Sequence, residues 1–275
     1  MELWYTERQT PHVGITCRVK ETLYTQKTAF QELAILDTFQ FGRMLVLDGM
    51  VQTTEADEFI YHEMIAHVPL ATHPDPQKVL VIGGGDGGTI REALKHREVS
   101  GAVLVEIDKE VVAACREHLP RLSCGLEDSR AKVVFSDGIS YVKEQEKAFD
   151  IILVDSTEPV GAAAGLFTED FYRDIFKALK PEGILVAQTE SPFYNRDLMG
   201  PVYRKINKIF PITRLYLANI PTYPGGLWSF TLGSREHDPL EVKKFKDLNT
   251  RYYNPQVHRS AFSLPGFVNE LLEGK

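Results

Sequence analysis

Cysteine is scarce. There are three in 275 residues, Cys17, Cys115 and Cys124, and no two form a CxxC pair. An odd, sparse count argues against a disulfide framework and for a reducing compartment, with the thiols packed as small apolar side chains. Long apolar runs are also missing: none approaches the roughly 18 residues that cross a bilayer. The opening residues Met1-Glu2-Leu3-Trp4-Tyr5-Thr6-Glu7 lack the basic-then-apolar order of a secretory leader. A cytoplasmic location is the expectation. Positive charge is in deficit, with 31 Lys and Arg against 38 Asp and Glu and a formal net charge of −7. That argues against general nucleic-acid or anionic-membrane binding and is compatible with a cationic ligand. Internal repeats and low-complexity tracts are absent. What remains is an ordinary folded composition, 43% hydrophobic and 25% charged, at a length typical of about two domains.

Two styles of pattern divide the chain. Residues 1–55 read as a β-strand domain. Gly14 to Val19 alternates with period two, and Leu45 to Thr53 reads as two short strands around Asp48-Gly49, a strong hairpin signal. Residues 56–275 read differently. Phe59, Ile60, Met64, Ile65 and Val68 recur at helical spacing until Pro74 and Pro76. Strands and helices then alternate. The expected strands are Lys78–Ile82, Ala102–Val105, Lys132–Phe135, Phe149–Val154 and Ile184–Gln188. The helices between them are Thr89–His96, Lys109–His118 and Phe171–Leu179, the last stopped by Pro181-Glu182-Gly183. Strands apolar on both faces and separated by helices indicate an α/β protein with a doubly wound parallel sheet. Thr213–Ala218 and Trp228–Leu232 are expected as closing, antiparallel strands.

Ligands of such a sheet bind beyond the strand C-termini. The first strand runs into Gly83-Gly84-Gly85-Asp86-Gly87-Gly88 and then a helix, the context in which a glycine loop admits a nucleotide-type ligand. Glu106 ends the second strand, 21 residues after Gly85, the spacing of an acid that holds ribose hydroxyls. Asp137-Gly138 ends the third; the acid there either accepts from an exocyclic amine such as that of adenine or makes a turn. Asp86 argues against a dinucleotide, because a carboxylate inside the loop would face pyrophosphate, at a cost of a few kcal/mol when partly desolvated. A cofactor with a cationic group at that point fits better. The fourth strand ends Asp155-Ser156-Thr157-Glu158-Pro159, either a capped turn or an anionic clamp for an ammonium group. The fifth ends at Gln188, able to donate or accept. Downstream, Pro221-Thr222-Tyr223-Pro224-Gly225-Gly226-Leu227-Trp228 is a rigid aromatic turn whose faces suit alkyl chains and cations or simple core packing. His62 and His67 superficially mimic a zinc-protease helix, but they are five residues apart and so about 140° apart around the axis; no metal site is expected. Tyr61 and His62 are candidates for lining a cleft. From these residues alone the reading is an adenine-nucleoside transferase on a Rossmann-like fold.

The loop Gly83–Gly88, the segment Asp57-Glu58-Phe59-Ile60-Tyr61-His62-Glu63-Met64, the strand end Asp155–Pro159 and Pro221–Pro224 together resemble spermidine synthases, the polyamine aminopropyltransferases, in their bacterial, Bacillus-type form. The likeness spans about Leu3 to Leu232. It implies a methyltransferase-like Rossmann doubly wound sheet preceded by a small N-terminal β domain, assembled as a homodimer or homotetramer. It implies decarboxylated S-adenosylmethionine as donor, a co-substrate rather than a cofactor, and putrescine as acceptor, with spermidine and 5′-methylthioadenosine as products. Gln31, His62 and Asp86 are expected at the donor's aminopropyl end, Glu106 at the ribose, and Asp137 with Gly138 at the adenine. Tyr61, Asp155, Glu158, Gln188 and Tyr223 are expected along the acceptor channel, with Trp228 near its far end and Asp155 as the base. The chain departs from the family pattern at Glu158, where Asp is frequent, at Gly161-Ala162-Ala163, where Gly-Pro-Ala is frequent, and at Gly225, where Ser is frequent. The first and last touch the acceptor side. Two rival classes stay open: a methyltransferase that uses intact S-adenosylmethionine, against which Asp86 argues, and a module that binds a nucleoside or polyamine without turnover.

Overall fold

Period-two alternation in residues 1–55 builds, in the computed structural model, an antiparallel sheet. The structure describes residues 2–157 and 161–274. The strands are β1 (Leu3–Thr10), β2 (Val13–Lys27), β3 (Glu32–Thr38), β4 (Gly42–Leu47) and β5 (Met50–Thr54), paired in that order. Between β4 and β5, Asp48 and Gly49 both take positive φ, 48° and 80°, as a two-residue hairpin turn of this kind requires.

The remainder alternates helix and strand: α1 (Glu58–Thr72), β6 (Lys78–Gly83), α2 (Gly88–Ala93), β7 (Gly101–Glu106), α3 (Lys109–His118), α4 (Pro120–Ser123), β8 (Ala131–Phe135), α5 (Gly138–Lys143), β9 (Phe149–Asp155), α6 (Glu169–Ala178), β10 (Leu179–Gln188), α7 (Arg196–Asn207), β11 (Ile212–Asn219), β12 (Leu227–Ser234), α8 (Pro255–Ser260) and α9 (Gly266–Glu273). The sheet order is β11-β12-β10-β9-β6-β7-β8. Strands β6 to β10 pair in parallel, while β12 runs antiparallel to both β10 and β11. This is a methyltransferase-like Rossmann sheet behind a small β sheet.

Alternate residues of each central strand feed two cores. Val79, Val81, Ile151 and Leu153 face α1 and α2. Leu80, Ile82, Ile152 and Val154 face α6 and α7. That is why these strands read as unbroken apolar runs. The N-terminal sheet docks by Leu33, Ile35, Leu45 and Leu47 onto Val111, Ala114 and Cys115 of α3, which closes one side of the cleft above the strand ends.

Helix α1 is buried nearly all round, with only Phe59 and Ala71 not fully covered. Its polar residues therefore need partners. Glu63 accepts backbone N–H bonds from Arg251, Tyr252 and Tyr253 at 2.8 Å. His67 bonds His96 and Glu92, each at 3.0 Å. The two histidines of α1 thus serve separate networks. Two element ends differ from the sequence reading. Helix α2 stops at Ala93, short of His96. Strand β10 begins at Leu179, so Pro181-Glu182-Gly183 is an irregularity inside the strand, with a register shift between Leu179 and Ile184, rather than the stop of α6.

Candidate active site

The sheet reverses its direction of growth between β6 and β9, where Gly83 pairs with Asp155. An α/β sheet opens its ligand crevice at such a point. Here a cavity of about 620 Å³ lies between the strand ends and the N-terminal sheet. Its described lining includes Glu7, Asp86, Glu106, Asp137, Asp155 and Glu190, and no lysine or arginine.

The glycine loop sets the first part of the geometry. Gly84 sits at φ 69°, and a Cβ there would come within 2.5 Å of Asp155 Oδ2, so only glycine lets the loop lie against that carboxylate. Asp86 Oδ1 accepts from the N–H of Gly88 at 2.7 Å and stands 3.3 Å from His62 Nε2. The other ring nitrogen of His62 meets Glu58 Oε2 at 2.6 Å, and Arg91 pairs with that Glu58 at 2.8 Å. Burial opposes charge on His62, but Asp86 and Glu58 outweigh it and raise its pKa well above the ordinary histidine value. Burial likewise opposes charge on Asp86, and His62 with the Gly88 N–H outweighs it and lowers the carboxyl pKa. Asp86 is held ionised.

Asp155 ends β9 inside the cavity. Tyr61 donates to its Oδ1 at 2.7 Å and Thr89 to its Oδ2 at 2.6 Å. Burial and then Asp86 raise its pKa, with His62, Thr89 and Tyr61 opposing. The two carboxylates are thus driven apart, Asp86 down and Asp155 up, a pattern that separates a fixed anion from a proton acceptor. Tyr61 itself is kept protonated by burial and by Asp155.

Glu106 accepts the Asp108 N–H at 2.9 Å. Its carboxyl is pushed up to about 7, chiefly by burial. Gln31 donates to Asp108 Oδ2 at 3.0 Å, which ties it to the Glu106 end of the cavity, whereas the family resemblance implies a place with His62 and Asp86 at the aminopropyl end. Asp137 caps α5, accepting from Ile139 and Ser140 N–H at 3.1 and 3.2 Å; it and Gly138 line the cavity beyond β8. Gln188 clamps two strand ends, donating to Ser156 O at 2.9 Å and Glu190 Oε1 at 3.0 Å. Tyr223 donates to Gln52 O at 2.7 Å and packs edge-on against Tyr61 and Trp228, at 5.8 and 4.6 Å between centroids. Every expected site residue among those described lines this one cavity. Glu158 lies outside the described residues. Sequence reasoning left out Glu58, Thr89, Asp108 and Glu190. Glu58 had a local signal, standing one helical turn before His62. Glu190 holds φ 67° while fully buried, a strained position typical of functional sites that only the backbone reveals.

Residues 58–244 match the spermine/spermidine synthase domain, and residues 3–55 match the spermidine synthase tetramerisation domain. The chain belongs to the spermine/spermidine synthase family. A polyamine aminopropyltransferase of Caldicellulosiruptor bescii is 60% identical over 275 residues, covering 99% of each chain. One from Bacillus mycoides is 55% identical, covering 99% of this chain and 100% of the relative. A spermidine synthase solved in complex with the transition state analogue AdoDATO superposes with a TM-score of 0.96 at 44% identity, covering 99% of this chain and 96% of the other. The spermidine synthase of Thermotoga maritima gives 0.94 at 44% identity, covering 99% and 95%. As a family member the chain is a polyamine aminopropyltransferase enzyme. Its N-terminal sheet is the family's element of homo-oligomer assembly. No described helix is long and apolar enough to cross a membrane.

Proposed function

We propose that this enzyme is a spermidine synthase that moves the aminopropyl group of decarboxylated S-adenosylmethionine to putrescine, releasing spermidine and 5′-methylthioadenosine. The observation that carries the reading is the charge of the cavity: Glu7, Asp86, Glu106, Asp137, Asp155 and Glu190 stand in its described lining, with no described Lys or Arg. Both substrates are cations that repel each other, and this lining offsets the repulsion.

On the donor side, Glu106 takes the ribose hydroxyls with Gln31 beside it, and Asp137 with Gly138 takes the adenine. Asp86, paired with His62, takes the aminopropyl ammonium. The carboxylate of intact S-adenosylmethionine would meet Asp86 there, which disfavours the methyltransferase reading. On the acceptor side, Tyr61, Gln188, Tyr223 and Trp228 shape a channel for an alkyl diamine, and Glu158 remains assigned to it by family resemblance alone.

The chemistry follows. The lone pair of a neutral amine attacks the propyl carbon beside the sulfonium. The C–S bond breaks with its electron pair going to sulfur, and a neutral thioether leaves. The amine proton passes to Asp155, acting as general base. The leaving group develops no negative charge that would need a Lewis acid. Alignment in one cavity supplies much of the remaining acceleration. The N-terminal sheet leaves Leu3, Trp4, Val13 and Phe39 exposed, an apolar surface suited to assembly as a dimer or tetramer. A cytoplasmic location fits a biosynthetic role of this kind.

Mass spectrometry tests the proposal. The protein is mixed with decarboxylated S-adenosylmethionine and, in turn, putrescine, cadaverine, agmatine and spermidine. Methylthioadenosine with spermidine as the preferred product is the expected result. A preferred product from another amine would move the acceptor assignment, and no methylthioadenosine with any of them would overturn the reading.

A further inference from the structure

We propose that Thr89 is a positioning residue for the transfer reaction: its hydroxyl holds one oxygen of Asp155 from behind the cavity wall and so orients the carboxylate toward the acceptor amine. The proposal rests on the reading of Asp155 as the proton acceptor.

Thr89 is the second residue of α2 and is fully buried. A buried hydroxyl has one hydrogen to place, and here it goes to Asp155 Oδ2 at 2.6 Å. An ionised carboxylate only accepts, so the direction of this bond is fixed. The same oxygen is walled in on another side by Gly84, whose backbone leaves no room for a methyl group. Thr89 does not line the cavity, whereas Tyr61, the partner of Oδ1, does. Both oxygens are thus held by a hydroxyl, Oδ1 by Tyr61 from the cavity wall and Oδ2 by Thr89 from behind it. Together the two bonds fix the plane of the carboxylate, and the Thr89 bond is the one that substrate does not reach.

The hydroxyl also enters the charge balance around Asp155. Tyr61 and His62 face it from α1, Asp86 from the glycine loop and Glu106 from β7, and Glu190 and Tyr223 line the same cavity. Burial, Asp86 and Glu106 favour the protonated acid; His62, Tyr61 and Thr89 favour the carboxylate. Removing the Thr89 donor tips that balance toward an acid already protonated before the amine arrives, and such an acid is no base.

The experiment compares the pH dependence of kcat, at saturating substrates, for the wild type, Thr89→Val, Thr89→Ala, Thr89→Ser and Asp155→Asn. Valine keeps the shape and loses the donor. The acid limb of the profile is expected to rise by about one pH unit in Thr89→Val, the size of one hydrogen bond to a charged acceptor. Turnover then falls about tenfold below the limb and recovers at alkaline pH. Donor KM is expected to stay put, and serine to restore the wild-type limb. Should valine disturb folding, the alanine and serine variants give the same comparison. A limb that does not move in the valine or alanine variant while Asp155→Asn is inactive overturns the role of Thr89 alone, as does a serine variant shifted as far as valine. Near-normal turnover in Asp155→Asn overturns the base assignment and this proposal with it.

Discussion

Replacing Asp86 by asparagine separates charge from shape at the donor site. The asparagine carbonyl can still accept the Gly88 N–H that Asp86 accepts at 2.7 Å, so the glycine loop keeps its turn. What disappears is the anion that stands 3.3 Å from His62 Nε2. Two unit charges about 4 Å apart interact by about 4 kcal/mol at an effective permittivity near 20. The imidazolium of His62 offsets part of that toward an incoming ammonium, which leaves about 2–3 kcal/mol, or roughly 30- to 150-fold in donor Kd. Intact S-adenosylmethionine brings a carboxylate to the same end and is repelled by Asp86, so the variant should bind it no worse than the wild type does. Discrimination between the two donors therefore narrows from both sides. Calorimetric titration of both donors into both proteins reads this directly. Methylthioadenosine, which has no ammonium, serves as the control and should bind equally to each. The reasoning fails if methylthioadenosine weakens as much as the donor does, or if the ratio of the two donor affinities is unchanged.

Gly84→Ala forces an L-residue to φ 69° and sets a methyl group 2.5 Å from Asp155 Oδ2; turnover is expected to fall about 100-fold or more, with a lower melting temperature, and near-normal kcat would contradict the packing argument. Glu106→Gln should stabilise the protein at pH 8 by up to the order of 2–3 kcal/mol while weakening donor binding about tenfold. The sign follows from a folded-state pKa of about 7, above the unfolded value: the native state holds the proton more tightly, so stability falls as pH rises from about 4.5 through 7. Denaturant melts at pH 5 and pH 8 check it, and an equal gain at both would refute it. Asp57→Ala removes the acceptor of Thr54 Oγ1, Thr222 N–H and Thr222 Oγ1, at 2.6, 2.8 and 2.6 Å. A loss of about 3 kcal/mol is expected in denaturant unfolding, with acceptor KM rising more than donor KM because Tyr223 follows Thr222.

What could be read from the sequence was whatever a short window encodes. The Asp48-Gly49 hairpin, the central apolar strands and helix α3 each carry their own pattern, and the ligand side of the sheet follows from strand direction. Helix α7 escaped because Gly200 and Pro201 interrupt its apolar spacing, and α9 because its eight residues bury only Val268 fully. The Pro181-Gly183 signal reads as a helix stop although the chain is already extended at Leu179, where pairing with β9 overrides local turn preference. The place of Asp86, Glu106, Asp137, Asp155 and Gln188 in the cavity lining was legible because each ends a strand or comes just after one. Thr89, 66 residues from Asp155, is joined to it by tertiary packing alone. The same holds for Asp57 and Thr222, 165 residues apart. The separate fates of Gln31 and His62, one beside Asp108 and the other beside Asp86, likewise needed the folded chain.

The claim that stands at the centre is that Asp155 accepts the amine proton as the aminopropyl group moves to putrescine. A single-turnover experiment tests it most directly, with wild type and Asp155→Asn each loaded with decarboxylated S-adenosylmethionine, mixed with putrescine, quenched, and assayed for methylthioadenosine and spermidine. The account expects equal amounts of both products from the wild type, a rate at least about 100-fold lower in the variant, and donor Kd values that agree within about threefold. A variant that forms both products at near-normal rate would contradict it.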